Sequence, residues 1–386
     1  MKLLAVELAS FRNVEAALVE PHARFNVLAG DNGQGKTNFL EAVYLLGTLR
    51  SFRAGKLEEL VRFGSPSARA SARVARAELE RRYDVEVWAE PPRKQARVDG
   101  KLVRAAADYF GGFNVVLFVP DDLRLPRGSP SARRRFLDRA VWNVEPAYLK
   151  DAQAYERILK SRNALLREGA PRAHTEELLA VYDQQLAAAA AAITLRRRRY
   201  LDDLAGRFAA AFERITRSGL PVEARYQSAV EPAPGPAEEG VAPRPPPSAE
   251  EVEQATLAAL RASRPRDRAL GYTTAGPHAD DVAFFLAGRP ARLYASQGQL
   301  RAIVLALKVA EIGHLGAVLG EPPVLLLDDV SSELDPARNR FLFEFLAEVG
   351  GQVFITTTDA GHVPLAAERR DFRVAAGRIA AASSPA

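Results

Sequence analysis

Cysteine is absent from the sequence, which also holds a single methionine, two tryptophans and five histidines among its 386 residues. The missing thiols exclude disulfides, thiolate metal sites and cysteine nucleophiles, and they fit a reducing compartment. No apolar run approaches the 18 residues of a membrane span, and Met1-Lys2-Leu3-Leu4-Ala5-Val6-Glu7 puts an acid where a secretory leader would be apolar. A cytoplasmic protein without membrane contact is therefore expected. The net charge of +5 is modest, but arginine far outnumbers lysine. Guanidinium forks suit phosphate, yet genome composition produces the same excess, so charge alone leaves nucleic-acid binding open. The length exceeds one ordinary core and calls for two domains, or one with a large insertion. No internal repeat is present.

What is present begins at residues 25 to 49. Phe25-Asn26-Val27-Leu28-Ala29 reads as a buried strand, and Asn38 to Leu49 reads as a helix. Between them Gly30-Asp31-Asn32-Gly33-Gln34-Gly35-Lys36-Thr37 fits G-x-x-x-x-G-K-[ST]. The glycines let bare N–H groups curl around a phosphate, Lys36 supplies a charge to the outer phosphates, and Thr37 offers a hydroxyl to Mg²⁺. The helix N-terminus adds its partial positive charge to the same anion. A chance match in a glycine-containing loop is the alternative, and the flanking strand and helix argue against it.

Around this motif the first hundred residues read as β-rich: Lys2 to Ala9 alternates like an edge strand, Ala70 to Glu78 and Arg82 to Ala89 follow, and Val98-Asp99-Gly100-Lys101 is a hairpin turn. Asn114 to Val119 is a continuous apolar strand ending at Pro120-Asp121-Asp122. Beyond it the pattern becomes helical. Ser131 is placed as a cap before Arg133-Arg134-Arg135, and the stretches Pro146 to Glu168 and Thr175 to Arg214, separated by Gly169-Ala170-Pro171, predict an antiparallel helical hairpin. Arg196 to Arg199 point all round a helix and cannot form one stripe. Residues 231–247 are Pro- and Gly-rich and read as an extended loop, and Ser248 with Glu251 forms a capping box.

The last third supplies further carboxylates. Val324 to Leu327 is an apolar strand running into Asp328 and Asp329, the Walker B arrangement, in which Asp328 would hold the Mg²⁺ at Thr37. Asp329 is then placed to orient or deprotonate an attacking water. Capping of the next turn is the plain alternative for Asp328. A further strand, Gln352 to Ile355, ends in Thr356-Thr357-Thr358. Ser296-Gln297-Gly298-Gln299 precedes a long apolar helix, which puts a second anion-binding helix end in the chain. This segment resembles the signature loop of ABC-type ATPases, and Ser332 to Asp335 then corresponds to their D-loop.

Four segments make the resemblance specific: Phe11-Arg12-Asn13 with residues 30–37; Pro120-Asp121-Asp122-Leu123-Arg124-Leu125 through Arg134; Gly276-Pro277-His278-Ala279-Asp280-Asp281; and Ser296 through Asp335. Together they resemble RecF, a family of bacterial recombinational-repair ATPases related to the heads of SMC proteins. The resemblance implies an α/β fold, an ABC-type, SMC-head-like P-loop ATPase domain formed by residues 1–121 and 269–386, with a mainly helical insertion over 122–268. It implies ATP and Mg²⁺ as ligands, with Arg12 and Asn13 joining residues 30–37 at the nucleotide. It implies Ser296, Gly298 and Gln299 acting in trans across an ATP-dependent homodimer, with Asp329, Lys36 and Ser296 as the catalytic residues. It also implies binding of double-stranded DNA at gaps or junctions, work with RecR and RecO, loading of RecA, and slow DNA-stimulated hydrolysis. Asp329 stands where many ABC ATPases have Glu, and no His follows Ile355, which leaves Thr356 to Thr358 as the nearest γ-phosphate switch; His362 reads as a loop residue. DNA contacts are placed on Arg133 to Arg135 and Arg196 to Arg199. An insertion of about 150 residues is too short for an SMC arm. The rival readings are a transporter nucleotide-binding subunit, an SMC-like clamp without a loading role, and a P-loop kinase.

Overall fold

The computed structural model describes residues 1–104, 109–167, 173–230, 246–365 and 368–382. The Gly169-Ala170-Pro171 break and all but residues 246 and 247 of the Pro-rich stretch lie outside them. The chain divides into two compact units: Met1–Arg124, Ala211–Arg217 and Arg301–Ala386 form the first, and Leu125–Ala210 with Ser218–Leu300 form the second. Residues 269–300, expected with the ATPase segments, thus group with the inserted unit.

The first unit contains two six-stranded sheets. One is antiparallel and runs β2 (Val14–Val19), β1 (Lys2–Phe11), β4 (Ser67–Arg76), β5 (Leu79–Trp88), β6 (Arg93–Val98), β7 (Lys101–Leu102). β1 is therefore an interior strand, not an edge. Its residues largely alternate between buried and exposed as in a strand, but β2 pairs outside it, with Val6 opposite Val19 and Phe11 opposite Val14. The hairpin turn stands as read: Val98 pairs with Lys101, and Asp99 and Gly100 both have positive φ, as a type I′ turn requires.

The second sheet runs β15 (Arg378–Ala381), β14 (Arg369–Ala375), β3 (Phe25–Ala29), β13 (Val353–Thr357), β12 (Val324–Asp328), β8 (Val115–Phe118). From β14 to β8 all pairings are parallel, which explains why these strands read as unbroken apolar runs. Helix α1 (Lys36–Thr48) is buried nearly all round and packs on strands of both sheets. One core joins them, with Leu40 and Val43 beside Val6, Val85, Leu326 and Phe354. Parallel order aligns the carboxyl ends of β3, β12 and β13, and function collects there.

The second unit holds α2 (Pro130–Val144), α3 (Tyr148–Arg167), most of α4 (Ala173–Thr216) and α5 (Ala249–Leu270). The cap of α2 is Ser129, not Ser131: its side chain accepts from the Ala132 N–H, and Pro130 occupies the first turn, where its fixed φ suits the helix. The capping box at Ser248 and Glu251 forms in both directions. The unit is not helical throughout. β9 (Val222–Gln227), β10 (Asp281–Leu286) and β11 (Arg289–Pro290) make a small antiparallel sheet, which short strands among helical segments concealed in the sequence. After it come α6 (Ala291–Tyr294) and the start of α7 (Gln297–Leu319). The helical stretches Thr175–Thr216 and Gln297–Leu319 are long and apolar enough to cross a membrane by length and composition. In the second, 72% of the apolar window is buried, as in a core helix. In the first, 44% is buried.

Candidate functional site

The loop after β3 is held from behind by contacts that a larger residue would break. A Cβ on Gly30 would lie 2.2 Å from the Val374 carbonyl oxygen, and one on Gly35, at φ 116°, would lie 2.8 Å from the Asn13 side chain. Asn13 donates to the carbonyl oxygens of Gly33 (3.4 Å) and Gln34 (3.1 Å) and accepts from Asn38 at 2.8 Å. Gln34 accepts from the Ala376 N–H through its side chain at 2.6 Å and from Gly377 through its carbonyl at 2.9 Å. Its side chain is thus committed to the β14–β15 turn. Asp31, Asn32 and Gly33 form the exposed rim. The Lys36 ammonium, 6% exposed, donates to the carbonyls of Gly30 and Asp31 (2.9 Å for the latter), inside the curve of the loop.

Arg12 is placed differently from its expected role at the nucleotide. Its guanidinium forks onto the fully buried carboxylate of Glu41 on α1, at 2.9 and 2.8 Å. Ser51 donates to the same carboxylate. Arg12 therefore ties β1 and the Ser51 turn to the helix that begins with Lys36, a bidentate geometry that lysine could not supply. Glu41 and Ser51 carry no sequence signal, because their partners are distant in the chain.

At the strand ends, Thr37 Oγ1 and Thr356 Oγ1 both donate to Asp328 Oδ1 at 2.8 Å. Thr356, fully buried, also accepts from the Asp329 N–H at 3.0 Å, so one hydroxyl joins both acids. That commits Thr356 to the carboxylates. Thr357 is buried and bonds to the Asp359 backbone, which leaves Thr358 as the exposed member of the three. Asp329 sits at φ 51°, a left-handed conformation that Asp tolerates better than most residues. Burial pushes its carboxyl above the ordinary value; nearby Lys36 and Ser332 oppose that shift, and Asp328 and Glu333 reinforce it. A carboxyl so raised is a better proton acceptor than an exposed one. Hydroxyl and carboxylate oxygens are hard donors that suit Mg²⁺, which takes one or two protein oxygens together with phosphates. Among the described residues no cluster of three or more His, Asp or Glu is present. His362 lies exposed in a short 3₁₀ turn.

The signature-like residues lie in the second unit. The Ser296 N–H donates to Gln299 Oε1 at 2.8 Å, and the Gln299 N–H donates to Ser296 Oγ at 3.2 Å. This is a reciprocal capping box on α7, legible as S-x-x-Q. Ser296 and Gln297 are exposed, and Gly298 is half-buried behind them.

The arginines proposed for DNA are mostly engaged elsewhere, which corrects that expectation. Arg133, 4% exposed, forks onto Asp281 at 2.7 Å through both nitrogens. Arg134 donates to the Asp280 carbonyl at 2.7 Å. Arg196 pairs with Asp151 and Glu145, Arg199 with Glu145, and the buried Arg197 with Asp138, Tyr148 and the Pro277 carbonyl. Arg198 lies over the Tyr226 ring. Within Arg133 to Arg135, Arg135 is the exposed member. Of the 276–281 motif, Asp280 accepts from Tyr226 and the Ala229 N–H, and His278 lies between the Tyr155 hydroxyl (2.6 Å) and the Thr273 carbonyl (2.9 Å). A carbonyl only accepts, so His278 donates from Nε2 and takes the Tyr155 proton at Nδ1.

Comparison with known proteins agrees with this architecture. Residues 2–377 match the model of the RecF/RecN/SMC N terminal domain family. The chain is 47% identical over 367 residues to the DNA replication and repair protein RecF of Myxococcus xanthus, covering 94% of this chain and 92% of that protein. It is 40% identical to RecF of Geobacter sulfurreducens, covering 98% and 99%. A solved structure of the recombination mediator protein RecF with ATP, of the RecFOR pathway, superposes with a TM-score of 0.86 at 29% identity over 99% of this chain and 98% of that one. An Smc head domain from Pyrococcus furiosus, bound to the C-terminal domain of ScpA, shares the fold at a TM-score of 0.54 and 15% identity. With a family match over almost its whole length and relatives at 40% identity and above, the chain belongs to the RecF family.

Proposed function

We propose that the chain is an ATP-dependent DNA-binding protein of recombinational repair, whose nucleotide site is completed by a second copy. The observation that carries this reading is the meeting of Thr37, Asp328 and Thr356 at the ends of parallel strands, beside a loop curled around the Lys36 ammonium. In this reading Lys36 binds the outer phosphates of ATP, and the N–H groups of residues 33–37 cradle the inner ones. Thr37 and Asp328 would hold Mg²⁺, which supplies charge neutralisation at the phosphates when bound. Asp329 orients the attacking water and takes its proton, and Thr356 keeps both acids in register. Arg12 and Asn13 act by positioning the helix and the loop. Ser296 and the exposed start of α7 present a helix N-terminus to the γ-phosphate bound by the other copy, so ATP binding drives dimerisation and slow hydrolysis reverses it. The relatives' names, a DNA replication and repair protein and a recombination mediator of the RecFOR pathway, support a role in repair; in this reading the chain works at DNA gaps with RecR and RecO, upstream of RecA.

Mixing two inactive variants tests the shared site. Ser296→Arg and Lys36→Met should each be inactive alone, whereas an equal mixture builds heterodimers with one complete composite site. Random pairing makes about half the dimers mixed, so roughly a quarter of wild-type phosphate release is expected under two-fold symmetry. After subunit exchange has been verified, activity no greater than the sum of the parents rules out action in trans by independent sites.

A further inference from the structure

Helix α3 carries its charges unevenly. Tyr148, Leu149, Tyr155, Arg162, Leu165 and Leu166 are buried, and at 3.6 residues per turn all but Leu149, which lies at the edge of the other side in the first turn, share one side. Lys150, Arg157, Lys160 and Arg167 are exposed. Their successive spacings of seven, three and seven residues put them within an arc of about 100° on the opposite side. Asp151 turns away to pair with Arg196, and Glu156 stands at the edge of the stripe. Among the described residues none of the four cations makes an ion pair. That distinguishes them from Arg133 of α2 and Arg196, Arg197 and Arg199 of α4, which are engaged by Asp281, Asp151, Asp138 and Glu145.

We propose that this face of α3 is a docking surface for the phosphate backbone of duplex DNA, an inference that rests on the DNA-binding reading above and gives it a location. The stripe runs about 25 Å at 1.5 Å per residue, the length of roughly seven base pairs at 3.4 Å each. Between the cations it presents Gln153, Ser161 and Ala164, all exposed. A protein partner would be anchored by aromatic or large apolar side chains, and single-stranded bases by stacking aromatics. This face offers neither. Repeated phosphates ask only for unpaired positive charge at regular spacing on a rigid element, which it does offer.

The test compares the full-length wild type, the triple variant Lys150→Gln/Arg157→Gln/Lys160→Gln, and a control, Lys2→Gln/Lys101→Gln/Arg340→Gln, that removes three exposed charges from the first unit. Each is titrated with a duplex of about three helical turns at several salt concentrations, with ATP and Mg²⁺ present. Loss of three phosphate contacts lowers the slope of log K against log salt by about 2.7, at 0.9 for each. It also raises the Kd at least about tenfold at 0.1 M salt, and the control stays near wild type. If wild type binds with a steep slope and the triple variant matches it, the stripe is wrong while the DNA-binding reading stands. If both triple variants weaken equally, net charge and not α3 is responsible, and the proposal again falls. A wild type that does not bind duplex DNA, or binds with a flat salt response, overturns the DNA-binding reading itself.

Discussion

The two units use the same residue types to different ends. In the first, Asp328 accepts from two threonine hydroxyls, one of them 291 positions away in sequence, and lies half-buried at a strand end beside a lysine-bearing loop. In the second, the acids are spent on arginines. Arg162 is fully buried between Asp183 (2.7 Å) and Asp267 (2.8 Å) and also donates to Thr273 at 2.8 Å. Arg264 adds a second contact to Asp183. A buried ion pair is little evidence of stabilisation, but breaking one is costly because a bare charge remains. In the proposed reading Asp328 and Asp329 serve phosphate chemistry, whereas Asp183 and Asp267 fix three helices in place. Arginine density is a poor guide to nucleic-acid contact for the same reason; what counts is whether the guanidinium already has a partner.

Substitutions that act on one unit alone break this comparison most directly. Lys36→Met should reduce phosphate release to background, a loss of at least about 10³-fold, because the loop keeps its form while the outer phosphates lose their charge partner. Hydrolysis near wild type in a folded variant would remove the nucleotide assignment. Arg162→Ala should destabilise the second unit by about 3–5 kcal/mol, since Asp183 and Asp267 are left buried without their cation. Hydrogen exchange should show α3, α4 and α5 opening while nucleotide affinity at the Lys36 loop persists; unchanged protection there contradicts a structural role for the network. Asp329→Asn should leave ATP bound and slow hydrolysis by about 10²-fold or more. Light scattering should then find the dimer persisting with ATP, and a monomer under those conditions contradicts the role given to Asp329.

The smallest effect concerns pH. Burial holds His278 below the ordinary histidine value; its Thr273 carbonyl partner and the charges of Asp280 and Asp267 oppose that shift, and Arg134 reinforces it. The Tyr155 hydroxyl fills its other nitrogen. The folded state therefore binds fewer protons than the unfolded chain, so this contribution to stability is complete above about pH 6.5 and is lost as pH falls below it. The slope cannot exceed about 1.4 kcal/mol per pH unit for one group. Denaturation of the second unit between pH 7 and 5 should show that decline in wild type and a shallower one in His278→Gln. An equal decline in both would assign the dependence to other groups.

Local sequence determined what local chemistry can dictate. Residues 30–37 specify a phosphate loop because its glycines, lysine and threonine act within eight consecutive positions, and the run from Val324 to Asp329 specifies a buried strand ending in acids. The capping boxes at 248 and 296 follow from two residues three apart. Tertiary structure decided everything that depended on partners distant in the chain. It made β1 an interior strand by pairing β2 outside it, turned Arg12 toward Glu41, gave Thr356 to Asp328 and Asp329, and engaged most of the arginines of α2 and α4. A side chain's type and its neighbours in sequence set what it can bind. Which partner it finds first is settled by packing, and for arginine and aspartate that choice separates a ligand site from a structural bond.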